Sequence, residues 1–166
     1  NVVLFFGITS QMAKSYNAIA NELKSMSNVH SVSAAHSYPG AGLSGMNLRL
    51  EETDASLAFS IKENRVHDYY IETLGMQIVE GRNFVPDQQT DDDSYIINET
   101  AARMLGLENP IGARVVMWRR PGTIIGVVKD YHFASLRENI EPLIISRYNK
   151  GIGNITVRID GNNRSE

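Results

Sequence analysis

Val2-Val3-Leu4-Phe5-Phe6-Gly7 opens the chain as a β-branched and aromatic run, too short for a helix and stopped by glycine, which is the composition of a buried strand. Thr9 and Ser10 then supply oxygens suited to a helix N-cap. From Gln11 to Met26 the larger apolar residues are Met12, Tyr16, Ile19, Leu23 and Met26, spaced four, three, four and three apart, so they line one helical face. Asn28 ends that pattern. Val29-His30-Ser31-Val32-Ser33-Ala34-Ala35 has the character of a second strand laid against the helix. The chain therefore begins β-α-β.

Tyr38-Pro39-Gly40-Ala41-Gly42-Leu43-Ser44-Gly45 is loop chemistry and marks the expected junction between two parts of the molecule. Beyond it Met46, Leu48 and Leu50, then Leu57, Phe59 and Ile61, alternate with polar or small residues across a turn at Glu51-Glu52-Thr53-Asp54, the pattern of a hairpin with one wet face. His67 to Leu74 can form two helical turns ended by Gly75, and Met76 to Val79 resumes a strand. Asp87 to Asp93 is read as an acidic, solvated loop. Tyr95-Ile96-Ile97 feeds Asn98, an N-cap, and a short helix through Leu105 closed by Gly106. Ala113–Trp118 and Thr123–Val128 are expected to pair across a turn at Arg119-Arg120-Pro121-Gly122, the stretch from Tyr131 to Asn139 to be irregular, and Leu143–Ile145 and Asn154–Ile159 to be strands.

Composition narrows the function. The chain has 166 residues, 16 Lys+Arg against 19 Asp+Glu, a net charge of -3 and no cysteine. That is one ordinary domain with enough length for a core. It has no positive field for nucleic acid and no thiolate for metal or catalysis. The longest apolar run, Val2 to Ile8, is far below the roughly 20 residues of a membrane-spanning helix. The chain starts at Asn1 without a basic n-region, so it is expected to be part of something longer.

Local chemistry is sparse. His30, His36, His67 and His132 fall in no metal-binding frame. Asp91-Asp92-Asp93 lacks the spacing and closing glutamate of a calcium loop. Gly40-Ala41-Gly42-Leu43-Ser44-Gly45 has neither a phosphate-binding lysine nor a helix to follow it, and is not a nucleophile elbow. A hydrolase built from Ser37 or Ser44 with Asp130 and His132 would need a nucleophile in contact with its base. Trp118, Arg119 and Arg120 at a hairpin tip are a candidate partner anchor, against the plainer reading of a solvated turn. No catalytic, cofactor or metal residue is assigned.

Leu74-Gly75-Met76 with Glu80-Gly81-Arg82-Asn83-Phe84, Ile97-Asn98 through Leu105-Gly106 with Asn109-Pro110-Ile111-Gly112, and Ile125-Gly126-Val127-Val128-Lys129-Asp130-Tyr131-His132-Phe133 with Ser135-Leu136 recur in one order. In that order and spacing the chain resembles the MacB-like periplasmic core domain of FtsX-type ABC transporter permeases. The resemblance implies an α+β fold: a porter-like β-α-β layer from residues 1–39 and 123–166, whose second α/β unit is incomplete here, and an inserted mixed lobe from 40–122. It also implies a non-catalytic domain on the periplasmic side of the bacterial inner membrane, transmitting ATP-driven motion to export or extraction of a peptide, lipoprotein or drug-like substrate. The implied partners are an ABC ATPase reached through a transmembrane part, a second permease copy, and a periplasmic adaptor or lipoprotein. The reading from another class is an extracytoplasmic ligand-binding or sensory module, with the ligand between two lobes in an apolar and aromatic cleft.

Overall fold

A computed structural model describes residues 2–131, 139–147 and 151–161. The opening unit is β1 (Val2–Gly7), α1 (Ser10–Lys14), α2 (Tyr16–Lys24) and β2 (Val29–Ala35). Thr9 caps α1, its hydroxyl accepting from the Met12 N–H at 3.3 Å. The single helix expected over 11–26 is broken at Ser15, whose φ of -102° and ψ of 14° leave the helical region. The break lets Tyr16 and Ala20 bury against the sheet while α1 turns away from it, so Met12 and Met26 stay exposed despite sharing the predicted stripe.

β1 and β2 are not neighbours. β10 (Asn154–Ile159) lies between them, antiparallel to both, with Leu4 opposite Val157 and Val157 opposite Val32. On one face of this three-stranded layer, Val32, Ala34, Ile155 and Val157 pack under Tyr16 and Ala20. On the other sits α3 (Tyr70–Leu74), where Arg158 Nε donates to the Thr73 carbonyl at 2.8 Å.

The remaining strands are β3 (Ser44–Leu50), β4 (Phe59–Val66), β5 (Ile78–Gly81), β6 (Ser94–Asn98), β7 (Arg114–Met117), β8 (Arg120–Val128) and β9 (Leu143–Arg147). Six of them close on themselves. β3 pairs with β4 and β7, β7 with β8, β8 with β6, β6 with β9, and β9 returns to β4 in parallel. Every strand of this ring contributes to one core: Leu48, Ile61, Ile97, Val115, Met117, Ile124 and Ile144. A ring this narrow is filled by its own side chains, so it is a plug of packed apolar residues and not a channel. The helix α4 (Glu99–Leu105) packs Ala101 against that core.

The ring meets the layer at a narrow joint. Ala35 of β2 pairs with Val66 of β4, flanked by the His36 N–H on the Arg65 carbonyl and the His67 N–H on the Ala34 carbonyl, both at 2.8 Å. Around it a second core gathers Ala35, Val66, Tyr70, Ile71, Phe84, Ile96, Leu143 and Ile145. The boundary expected at Thr123 falls inside β8, which pairs wholly within the ring and with β5, while β10 belongs to the layer.

Two local expectations are corrected. Trp118 and Arg119 form the β7–β8 turn, closed by the Met117–Arg120 pair, whereas Pro121 and Gly122 are already in the strand. The register alternates so that Pro121 faces Val116 in a non-hydrogen-bonded pair, where its missing N–H costs the ladder nothing. The acidic segment is not wholly solvated either. Asp91 is fully buried, accepting from both Arg82 guanidinium nitrogens at 2.8 and 2.9 Å and from the Val85 N–H at 2.7 Å. Those three donors compensate a carboxylate that burial alone would penalise.

Asn98 does more than cap. Its Oδ1 accepts from the Ala101 N–H at 3.0 Å and the Leu143 N–H at 2.9 Å, and its amide donates to the Glu141 carbonyl at 2.9 Å. One buried amide thus ties α4 to the start of β9. Asn98→Ala is expected to lower stability by about 3 kcal/mol, more than an exposed cap, because three buried polar groups lose their partner. Urea unfolding checks this through the midpoint.

Candidate functional site

Among the described residues, those singled out for catalysis are bound to other partners and not to one another. Asp130 accepts from the Thr100 N–H at 2.9 Å, the Thr100 hydroxyl at 2.8 Å and Arg103 Nη2 at 2.9 Å. Burial works against its charged form, but those bonds outweigh it and hold the carboxyl below the usual carboxylate range. It is a docking group for the first turn of α4, with both carboxylate oxygens engaged by Thr100 and Arg103. The Ser37 hydroxyl donates to the Gly42 carbonyl at 2.8 Å, so its proton goes to the loop backbone and not to a base. Ser44 is exposed at the start of β3. His132 lies outside the described residues.

His30 pairs with Asp160 at 2.6 Å on the surface, and His36 reaches the Gly151 carbonyl at 3.3 Å. His67 is different. Its ring lies 4.5 Å from that of Tyr16, and its Nδ1 accepts the Asp68 N–H at 2.9 Å. Among the described residues no three His, Asp or Glu side chains gather as a metal site.

At the hairpin tip Trp118 is 68% exposed with a φ of 56°, and the Arg119 side chain is in water. Arg120 is not part of that tip chemically. Its Nη2 donates to Glu63 Oε1 at 2.8 Å, and the Ser146 hydroxyl donates to the same oxygen at 2.9 Å, so it partners a buried carboxylate of the ring. A test of the tip must therefore spare Arg120. Trp118→Asn places a residue tolerant of left-handed backbone at the strained position, and should leave stability unchanged or raise it by about 0.5 kcal/mol, as a melting curve would show.

A polar depression lies between α2 and the entry to α3. Two overlapping cavities of about 350 and 310 Å3 share Tyr16, Asn17, His67, Asp68 and Asp87. Their lining is mainly polar, unlike the apolar and aromatic cleft expected of a ligand-binding module. Asp68 and Arg147 are both buried beneath it, with Arg147 Nε 2.9 Å from Asp68 Oδ1. Sequence reading missed this pair because the partners lie 79 positions apart and neither sits in a motif.

Burial holds the His67 imidazole below its ordinary value of 6.5, helped by Arg147 and Lys24 and opposed by Asp68 and Asp87. A depressed histidine favours the neutral form in the folded state, so its contribution is present above the unfolded value and is lost as pH falls through the folded one. Stability should therefore drop as the solution is acidified below neutrality, and His67→Gln should flatten that part of a pH series of unfolding curves.

The sequence profile of the MacB-like periplasmic core domain matches residues 3–165, nearly the whole chain. The chain belongs to this family. A MacB-like core domain is the periplasmic or extracellular part of an ABC transporter permease, and its setting includes an ATPase partner. Solved structures agree on the fold. The periplasmic region of MacB from Actinobacillus actinomycetemcomitans superposes with a TM-score of 0.67 at 21% identity, over 98% of this chain and 76% of that one. The extracellular domain of the ABC-type transporter YknZ from Gram-positive bacteria gives 0.65 at 19% identity, over 97% and 85%. A domain of a putative permease from Porphyromonas gingivalis gives 0.61 at 17%, over 96% and 74%. No curated protein matches the chain at the sequence level. No helix among the described residues is long and apolar enough to cross a membrane.

The family motifs now have physical roles in this MacB-like domain. Gly81 supports the β5–β8 crossing, Asn98 and Gly106 bound α4, and Asp130 of the last motif holds Thr100 of the middle one.

Proposed function

We propose that this domain is a non-catalytic mechanical element of its permease, carrying ATP-driven movement of the membrane part to export or extraction of a substrate. The observation that supports the reading is the sheet. One hydrogen-bonded path runs from β1 through β10 and β2 to the closed ring, so a displacement applied to the layer reaches the ring through backbone bonds. In this reading the three-stranded layer of β1, β10 and β2 and the closed ring are the two moving parts, and the joint at Ala35 and Val66 lies between them. The substrate class is a peptide, lipoprotein or drug-like molecule handled by the assembled transporter.

ATP belongs to the partner ATPase, so titrating this chain with magnesium ATP in a calorimeter should give no binding heat. Stoichiometric binding would contradict the assignment.

The second permease copy is the proposed immediate partner, with an adaptor or lipoprotein beyond it. Among the described residues β1 pairs only with β10, leaving one edge open, and Val2 and Phe6 are exposed on it. Light scattering across concentration should show self-association that Phe6→Lys abolishes. A monomer at every concentration would argue against β1 as the contact.

A further inference from the structure

His67 stands where the layer and the ring meet, and it holds the layer in three ways. Its N–H donates to the Ala34 carbonyl at 2.8 Å, its carbonyl accepts from the Ser33 hydroxyl at 3.3 Å, and its imidazole lies 4.5 Å from the Tyr16 ring of α2. The next residue faces the other way. Asp68 pairs with Arg147 of β9 at 2.9 Å and accepts the Asp87 N–H at 3.3 Å, both outside the layer. Between the two, the Asp68 N–H donates to His67 Nδ1 at 2.9 Å. That bond exists in one protonation state only, because an imidazolium carries a proton on both nitrogens and has no acceptor left.

We propose that His67 is an acid-sensitive latch on this joint: the neutral imidazole holds layer and ring together, and its protonation lets the joint open while both bodies stay folded.

The joint is thin enough to open by itself. Among the described residues the sheet crosses from layer to ring through the pair of Ala35 with Val66, flanked by two backbone bonds, one of which His67 donates. The two bodies have cores of their own, with Val32, Ile155 and Val157 in the layer and Leu48, Ile61, Ile97 and Val115 in the ring. Local opening of this kind costs less than unfolding either core.

The surrounding charges do not rescue the imidazolium. From α2 it meets Lys24 and the Tyr16 phenol, which burial keeps neutral, from the end of α1 Lys14, and from β9 Arg147. Against these stand Asp68 and Asp87. Asp68 is committed to Arg147, and Asp87 is exposed, where water and salt screen it. Burial has the largest influence and favours the neutral ring. The other histidine of the joint has the opposite setting. His36 is exposed with its Nδ1 3.3 Å from the Gly151 carbonyl, a contact that a proton strengthens.

The test is native-state hydrogen exchange followed by NMR on this chain alone, from about pH 7.5 to about pH 5, with rates corrected for their intrinsic pH dependence. Opening at the His36 and His67 N–H groups should grow by up to about tenfold per pH unit below 6.5, because the open joint binds a proton that the closed one excludes. The Ile97 and Val157 amides, in strands paired on both sides, should keep their protection. In the unsubstituted chain the opening should track the ring-proton shifts of His67. His67→Gln should abolish the pH dependence and His36→Gln should retain it. The latch builds on layer and ring as the two moving parts, but with no ATPase present the result is independent of whether ATP-driven motion passes through the domain. Protection lost in parallel at all four amides would mean global unfolding and would overturn the latch. Joint amides insensitive to pH while His67 titrates, or a pH dependence that survives His67→Gln, would overturn it equally.

Discussion

Replacing Arg147 with methionine should destabilise the domain by about 4 kcal/mol, the range for breaking a buried ion pair by removing one partner. The side chains of Arg147 and Asp68 are only 4% and 7% exposed. Arg147 also donates through Nη1 to the Val85 carbonyl at 3.1 Å and the Gln88 carbonyl at 2.5 Å. Methionine fills the volume but leaves the Asp68 carboxylate without its counter-charge and takes one of two donors from each carbonyl, which keep the Gln88 and Asp91 N–H groups. For a domain of this size that is a fall in melting temperature of about 10 °C. The double variant Arg147→Met with Asp68→Asn should recover much of the loss, because the stranded charge is then gone while the amide oxygen can still accept the Asp87 N–H. If the double variant is as unstable as the single one, the carbonyl bonds and not the charge carry the effect. The nearby Asp92, 3.9 Å from Arg147 Nε and half exposed, adds little.

Gly81→Ala should cost about 3 kcal/mol, combining left-handed strain with overpacking. Gly81 has a φ of 72°, and a Cβ there would collide with the Ile125 carbonyl oxygen and come within 2.6 Å of Ile111 Cδ1. That carbonyl is already the acceptor for the Arg82 N–H at 2.9 Å, so it cannot move without breaking the β5–β8 crossing. Across the pair, a Cβ on Gly126 would strike the Arg82 carbonyl, so neither strand can retreat. Gly40→Ala separates the two costs. Its φ is 91° with nothing within 4 Å, so it should show the conformational part alone, about 1 kcal/mol. Equal losses at the two sites, read from urea unfolding, would mean that the crossing is not as tight as drawn.

What the sequence shows and what it hides divide by distance along the chain. The β3–β4 hairpin, the Asn98 cap, the αL glycines at 75 and 106 and the special position of Gly81 follow from residues within a few places of one another. The entry of β10 between β1 and β2 and the return of β9 to β4 do not, because apolar alternation says that a strand has a buried face without naming its neighbour. Pro121-Gly122 misled for a related reason. The pair has turn composition, but a hairpin edge can absorb a proline in a non-hydrogen-bonded position, and the residue in the left-handed turn is a tryptophan that no turn preference would select. The buried charges were hidden by their setting. Asp91 stands in a row of acidic residues that reads as solvated, and only Arg82 and the Val85 N–H, both in a separate segment of the chain, make its burial tolerable.

For function the legible part was the order of motifs, which pointed to the family that the profile match shows, whereas the polar trough rests on Tyr16, His67, Asp68 and Asp87 from three distant segments and carries no motif. The mechanical reading stands on the sheet that joins layer and ring. The most direct test places a spin label at Leu57, which is 67% exposed on the turn between β3 and β4, in the intact permease assembled with its ATPase. Distances between the labels of two permease copies are then measured with ADP and with a non-hydrolysable ATP analogue. Transmission predicts that the distance distribution shifts by several ångström between the two nucleotides, and an unchanged distribution in a transporter that still hydrolyses ATP would contradict it.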